Sequence, residues 1–170
     1  MAYPNNFPTP VQQPESSILD VNNKQVYLGN QYISGPDTVS LGSSAETNLL
    51  YILNPSTSTV SLFVSDMNLN AQGASDIITY RIYNGATGVS GGTTVTPRNL
   101  RLASPNASVA TMKSSPTATK GTLLQTIAIG YNAQSIVNPM FILDPGQSIL
   151  ITGQAASTGV AICQVIHFEK

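Results

Sequence analysis

Polar and apolar residues alternate along most of this chain with a period of two. In the stretch VSLFVS, Val60, Leu62 and Val64 fall on one side while Ser61, Phe63 and Ser65 fall on the other. That alternation marks a half-buried β-strand. It predicts strands over residues 25–33, Asp37–Leu41, Thr47–Leu53, 60–67 and 77–83. The middle of the chain is looser. Residues 88–92 (GVSGG) read as a flexible connector and 113–121 as a surface loop, with short strands at 93–96, 100–103 and 108–112. Pro97, Pro105 and Pro116 place those short strands at sheet edges, because proline has no N–H to give a ladder. Thr122–Ile129, Phe141–Leu143, 147–152 and 160–168 complete the set.

Turn residues separate the runs. Asn54-Pro55-Ser56 closes one strand, Asn84-Gly85 another, and Asp144-Pro145-Gly146 suits a type II turn whose third residue needs positive φ. No segment of ten or more residues keeps helical spacing between caps. Eight or more strands at this spacing predict an all-β protein: an antiparallel two-sheet β-sandwich of jelly-roll type, with an immunoglobulin-like sandwich as the alternative. The domain spans residues 18–170. Ahead of it, residues 1–17 form a Pro-rich extended arm, with Pro4, Phe7, Pro8, Pro10, Val11 and Pro14 as its gripping side chains. Prolines at that density exclude helix and sheet ladder and favour extended backbone.

Charge sharpens the picture. Only 9 % of residues are charged, against roughly 25 % in ordinary globular chains. Ser, Thr, Asn, Gln and Gly take their place, a surface suited to packing against neighbours. Lys and Arg are scattered singly, which disfavours phosphate contacts and hence a nucleic-acid partner. No apolar run approaches the roughly 20 residues that span a bilayer, and no secretory pattern opens the chain, so neither a membrane partner nor export is expected. With one cysteine, Cys163, no intrachain disulfide can form.

The nucleophile and ligand inventory is thin. Cys163 and His167 share a face of one strand, but about 13 Å separates them at strand rise, too far for a dyad. His167 is the lone histidine, so any Ser-His-acid triad must use it, and no Gly-x-Ser-x-Gly elbow accompanies it. One His and one Cys do not make a zinc set, and a calcium ion bridging Asp66 and Asp76 is a remote option. With no Trp and 6 % aromatics, a sugar-processing cleft is disfavoured. The glycines at 85, 88, 91 and 92 lack the Lys and helix of a phosphate loop. Asn106-Ala107-Ser108 fits a glycosylation acceptor. We therefore expect no catalytic residues, no metal, no cofactor and no small-molecule substrate. Tyr80, Arg81 and Tyr83 form a candidate contact face, since Tyr and Arg favour interfaces.

Several turn-level features, taken together, resemble small tailed-bacteriophage virion proteins. They are Asn54-Pro55, the Gly91-Gly92-Thr93-Thr94 stretch leading to Thr96-Pro97-Arg98-Asn99-Leu100, Leu143-Asp144-Pro145-Gly146-Gln147-Ser148, and a last strand ending His167-Phe168-Glu169. The resemblance implies a β-sandwich subunit that decorates a capsid, serves as a minor capsid protein or builds a short head fibre. It implies a homo-oligomer, with a trimer favoured, in contact with other virion or lattice proteins, made in the host cytoplasm and located in the virion. A subunit of a cellular or spore-surface (extracellular) fibre is the nearest alternative, and a sugar- or receptor-binding module is a third.

Overall fold

A strand that is apolar on one side needs a second layer to cover that side. The computed structural model supplies it as two antiparallel sheets packed face to face, and it describes residues 25–26, 28–34, 37–42, 45–72, 77–130 and 132–170. The candidate arm, residues 1–17, and the boundary at 17/18 lie outside those residues. Among the described residues the strands follow in order: β1 Gln31–Ile33, β2 Asp37–Leu41, β3 Thr47–Leu53, β4 Leu62–Gln72, β5 Ile78–Asn84, β6 Thr87–Ser90, β7 Thr93–Val95, β8 Arg98–Asn99, β9 Thr111–Ser114, β10 Thr117–Thr119, β11 Thr122–Ile129, β12 Gln134–Val137, β13 Phe141–Leu143, β14 Ser148–Ala155 and β15 Gly159–Glu169.

The first sheet runs β12-β4-β15-β1-β8, with β13 also on β4 and β2 also on β15. The second runs β11-β5-β14-β3-β9-β7, and β6 with β10 makes a separate two-stranded ribbon. The path β2, β3, β4, β5 steps from sheet to sheet. β11 then leads back to β12 and β13, and β14 and β15 slot between earlier strands of their sheets. Four-strand sets β2-β15-β4-β12/β13 and β3-β14-β5-β11 are thereby stacked, the jelly-roll path of two nested Greek keys. Between the sheets Leu50, Ile52, Leu62, Val64, Met67, Leu69, Tyr80, Ile82, Ile149, Ile151 and Val165 are buried together.

The segment between β5 and β11 is an insertion into this plan. β8 adds to β1 at the edge of the first sheet, while β9 and β7 add beside β3 at the edge of the second. The ribbon folds onto the outer face of the second sheet. There Ala86, Val89 and Ala118 cover Tyr51, Leu53, Tyr83 and Leu150, and the Asn48 amide donates to Pro116 O at 3.0 Å. This strap widens both sheets on the β1–β3 side and covers part of the outer face of the second.

Several sequence expectations change. The strand expected at 25–33 starts only at Gln31, because Gly29 turns the chain at φ 75° with its N–H on Val26 O. Residues 100–103 form no strand. The Asn99 side chain accepts from Arg101 N–H and bends the backbone there, and Ser104 N–H bonds Arg101 O. The run expected at 108–112 pairs only from Thr111, since side chains occupy the N–H groups of Val109 and Ala110. The supposed connector at 88–92 and loop at 113–121 instead supply β6, the end of β9 and β10. Meanwhile β4 reaches Gln72, well past the expected end, and β12 was not foreseen. The Asp144-Pro145-Gly146 turn forms as expected, with Gln147 N–H on Asp144 O at 2.9 Å and Gly146 at φ 87°.

Candidate functional site

Three places gather polar or apolar side chains in ways the sandwich does not need. The first is the inner end of β15. Tyr32 on β1 stands directly opposite His167, and their rings stack at 5.4 Å. His167 is fully buried. Its Nε2 lies 3.0 Å from Ser108 Oγ, and Ser108 donates its own proton to Glu169 Oε1 at 2.6 Å. Glu169 also receives Val109 N–H at 2.9 Å, and Ser108 Oγ receives Ala110 N–H at 3.1 Å. Burial alone would raise the Glu169 carboxyl. Hydrogen bonds from the His167 side, Ser108 and Val109 outweigh that and hold it below the ordinary 4.5.

A serine, a histidine and a carboxylate within reach suggest a nucleophile, but the order is wrong for one. A triad places the acid on one ring nitrogen and the serine on the other, with the imidazole accepting the serine proton. Here Ser108 and Glu169 both face Nε2, the latter at 3.6 Å, and the serine proton goes to the carboxylate. With that proton committed, Ser108 Oγ accepts from His167, which places the ring proton on Nε2. Nδ1 is buried with no partner among the described residues. The arrangement fastens the insertion to the end of β15. The Ser108 hydroxyl of the Asn106-Ala107-Ser108 triplet is thus engaged inside the protein.

The second place is the outer face of the second sheet. Tyr80, Arg81 and Tyr83, read from sequence as one contact face, are separated by the pleat of β5. Tyr80 points into the core, fully buried, with its hydroxyl donating to Asn70 O at 2.6 Å, and burial pushes its phenol up. Arg81 and Tyr83 lie on the opposite, half-buried face. Their polar ends are engaged within the chain around Glu46. Tyr83 donates to Glu46 Oε1 at 2.9 Å, Thr152 donates to the same oxygen at 2.5 Å, and Lys120 from the strap sits 2.8 Å from Oε2. Arg81 lies 3.6 Å from Oε2 and donates to Gln154 at 2.8 Å. Burial works against the Glu46 carboxylate, but these donors hold it below its ordinary value. The cluster clamps the strap to the sheet.

The third place is the side that the strap leaves open. Among the described residues no further strand pairs the outer edges of β11, β12 or β13. Leu123 and Leu124 on β11, Ile136 on β12, Met140 between β12 and β13, and Ile142 on β13 are all exposed, Ile136 to 64 %. Beside them the outer face of the first sheet holds a groove of about 350 Å³, lined by Gln31, Asp66, Asn68, Leu100, Ile136, Gln164 and Ile166. Ile136, Asn68 and Gln164 stand in one row across three strands. Asp66 accepts from Ser65 and Asn138, and the Asn68 carbonyl oxygen is buried with no partner among the described residues.

Among the described residues no group of three His, Cys, Asp or Glu side chains could hold a metal ion. Asp76, the suggested partner of Asp66, lies outside them. Cys163 is buried in the core between the sheets. Neither the Ser108–Glu169 lock nor the groove was foreseen from sequence. The chain matches no protein-family model and no curated protein.

Proposed function

We propose that this chain is a structural assembly subunit of a bacteriophage virion, as a capsid-decoration, minor capsid or short head-fibre protein. It acts by self-association and through its N-terminal arm rather than by turnover. The observation that carries this reading is the row of exposed aliphatic side chains, Leu123, Leu124, Ile136, Met140 and Ile142, along the unstrapped side. Monomeric soluble proteins keep contiguous apolar patches small, and larger ones mark contact sites. Strand edges exposed in this way are normally guarded by charge or proline, yet β11, β12 and β13 contain none of either. A closed oligomer would bury these edges, and the resemblance noted above favours a trimer. The near absence of charge fits a surface that is covered in use.

The reading is tested at two levels. Light scattering on the purified chain is expected to give a discrete oligomer, and mass spectrometry of density-purified virions is expected to find the chain at structural stoichiometry. A chain that remains monomeric at high concentration and is missing from virions overturns it.

A further inference from the structure

We infer that the groove on the outer face of the first sheet receives the segment Phe7-Pro8-Thr9-Pro10-Val11 from a second copy of this chain. The inference deepens the assembly reading and rests on it. Three observations converge. The first is chemical. The groove offers aliphatic walls from Leu100, Ile136 and Ile166 and amides from Gln31, Asn68 and Gln164. Its single carboxylate, Asp66, is already hydrogen-bonded. An occupant that is uncharged, part apolar and rich in backbone acceptors matches this lining. Residues 3–14 (YPNNFPTPVQQP) contain no charged residue at all.

The second observation is the unpaired acceptor. The side-chain oxygen Oδ1 of the groove-lining Asn68 is buried and has no hydrogen-bond partner among the described residues. In the arm sequence Phe7, Thr9 and Val11 each have a backbone N–H, whereas Pro8 and Pro10 have none. An extended proline-containing strand keeps its N–H and C=O groups outside any internal bonding, free for a partner's amides.

The third is where the chain enters the described structure. Gln25 bonds Asn30 N–H through its carbonyl, and six residues after it Gln31 forms part of the groove wall. Leu100 is tied to that same residue through its N–H on Gln31 O at 2.9 Å. The chain therefore enters the described structure six residues before a residue of the groove wall. Val11 lies fourteen positions before Gln25, a reach of up to about 46 Å at roughly 3.3 Å per step. That clears the roughly 10 Å between packed sheets and extends to a neighbouring molecule whose groove is oriented alike.

The test uses the full chain with a photo-crosslinking residue in place of Thr9, prepared as an equal mixture of light and heavy isotope-labelled protein. The expected result is crosslinks from position 9 to Leu100, Ile136 or Ile166, in mixed-isotope pairs. Gln164→Arg, which fills the groove from a half-exposed position, should cut their yield at least tenfold while leaving the thermal midpoint close to the parent's. Crosslinks confined to same-isotope pairs overturn docking on a second copy. Crosslinks mapping elsewhere on a chain that still assembles overturn the groove while the assembly reading stands. A chain that neither crosslinks nor assembles overturns both.

Discussion

Along the side formed by β1, β2 and β3 the protein extends its own edges, with β8 added to β1 in one sheet and β9 and β7 added to β3 in the other, while β2 pairs only β15 among the described residues. Along the side formed by β11, β12 and β13 both sheets end among the described residues. The first side is held by a buried polar lock, Ser108 between His167 and Glu169, and the ribbon is held on the outer face of the second sheet by the partly exposed Glu46, which gathers Tyr83, Thr152 and Lys120. The second has no ionisable side chain in its three edge strands and keeps its aliphatic groups in solvent. Both sides face the same physical problem, a row of unpaired N–H and C=O groups that invites a foreign strand. One is met in part inside the chain by 37 residues of insertion, counted from Gly85 to Gly121. The assembly proposal assigns the other to another molecule.

Disturbing the strap should have the largest effect on folding. At Gly121 an added Cβ would stand 1.9 Å from Asn84 O and 2.8 Å from the Gly85 carbonyl carbon, both backbone. Gly121→Ala is expected to cost about 3 kcal/mol, the upper range for overpacking, read as a lowered urea midpoint. A parent-like midpoint would show that the strap is loosely attached. Ser108→Ala takes a hydrogen-bond partner from a buried carboxylate and a buried imidazole, and should cost about 2 kcal/mol. Amide exchange should quicken in residues 100–110 and stay slow in β5 and β14; uniform quickening would contradict a local lock.

Acid should loosen the strapped side next. Both Glu169 and Glu46 have folded-state values below the ordinary 4.5. A carboxylate so depressed contributes stability that is complete above its unfolded value and is lost as pH falls through the folded one. Thermal midpoints should therefore decline below about pH 4.5, and Glu169→Gln should flatten that decline. An unchanged acid limb in this variant would exclude Glu169 as a source. The smallest effect on folding belongs to the open side. Leu123→Lys combined with Ile142→Lys should shift stability by less than about 1 kcal/mol, since exposed positions tolerate change. The same pair should weaken self-association by about tenfold or more, the worth of one buried aliphatic side chain. Sedimentation at several concentrations reads this, and unaltered association would place the contact elsewhere.

How far the sequence revealed this contrast depended on the range of the interactions. The jelly-roll strands were legible where Ile78, Tyr80 and Ile82 alternate with Thr79 and Arg81, and where Leu49 to Leu53 form a short apolar run closed by Asn54-Pro55. The strap was not. In β6 and β10 one residue each, Val89 and Ala118, faces the sheet, so alternation has nothing to repeat. The far half of β4 does alternate, with Leu69 and Ala71 inward. Its outward residues are Asn68 and Asn70, a type depleted in strands. Tyr80 was grouped with Arg81 and Tyr83 by adjacency, although the pleat sends neighbours to opposite faces. The lock joins Ser108 to residues 59 and 61 positions away, and no local pattern announces such a pairing. The groove needs residues from five separate segments.

The placement of β15 has a bearing on how the molecule is born. This strand lies between β4 on one side and β1 and β2 on the other, so every partner it pairs with is synthesised before it. While the ribosome is still making residues 159–169, the first sheet is two fragments with a gap at the centre. Ladders of such sequence separation close slowly, on the millisecond-to-second scale, and until then the edge of β4 that β15 will pair is open and Tyr32 lacks the His167 ring it stacks on. The nascent chain is a natural client for holding chaperones during that interval, and ribosome profiling with stalled intermediates would find protease protection arriving abruptly once the final strand emerges.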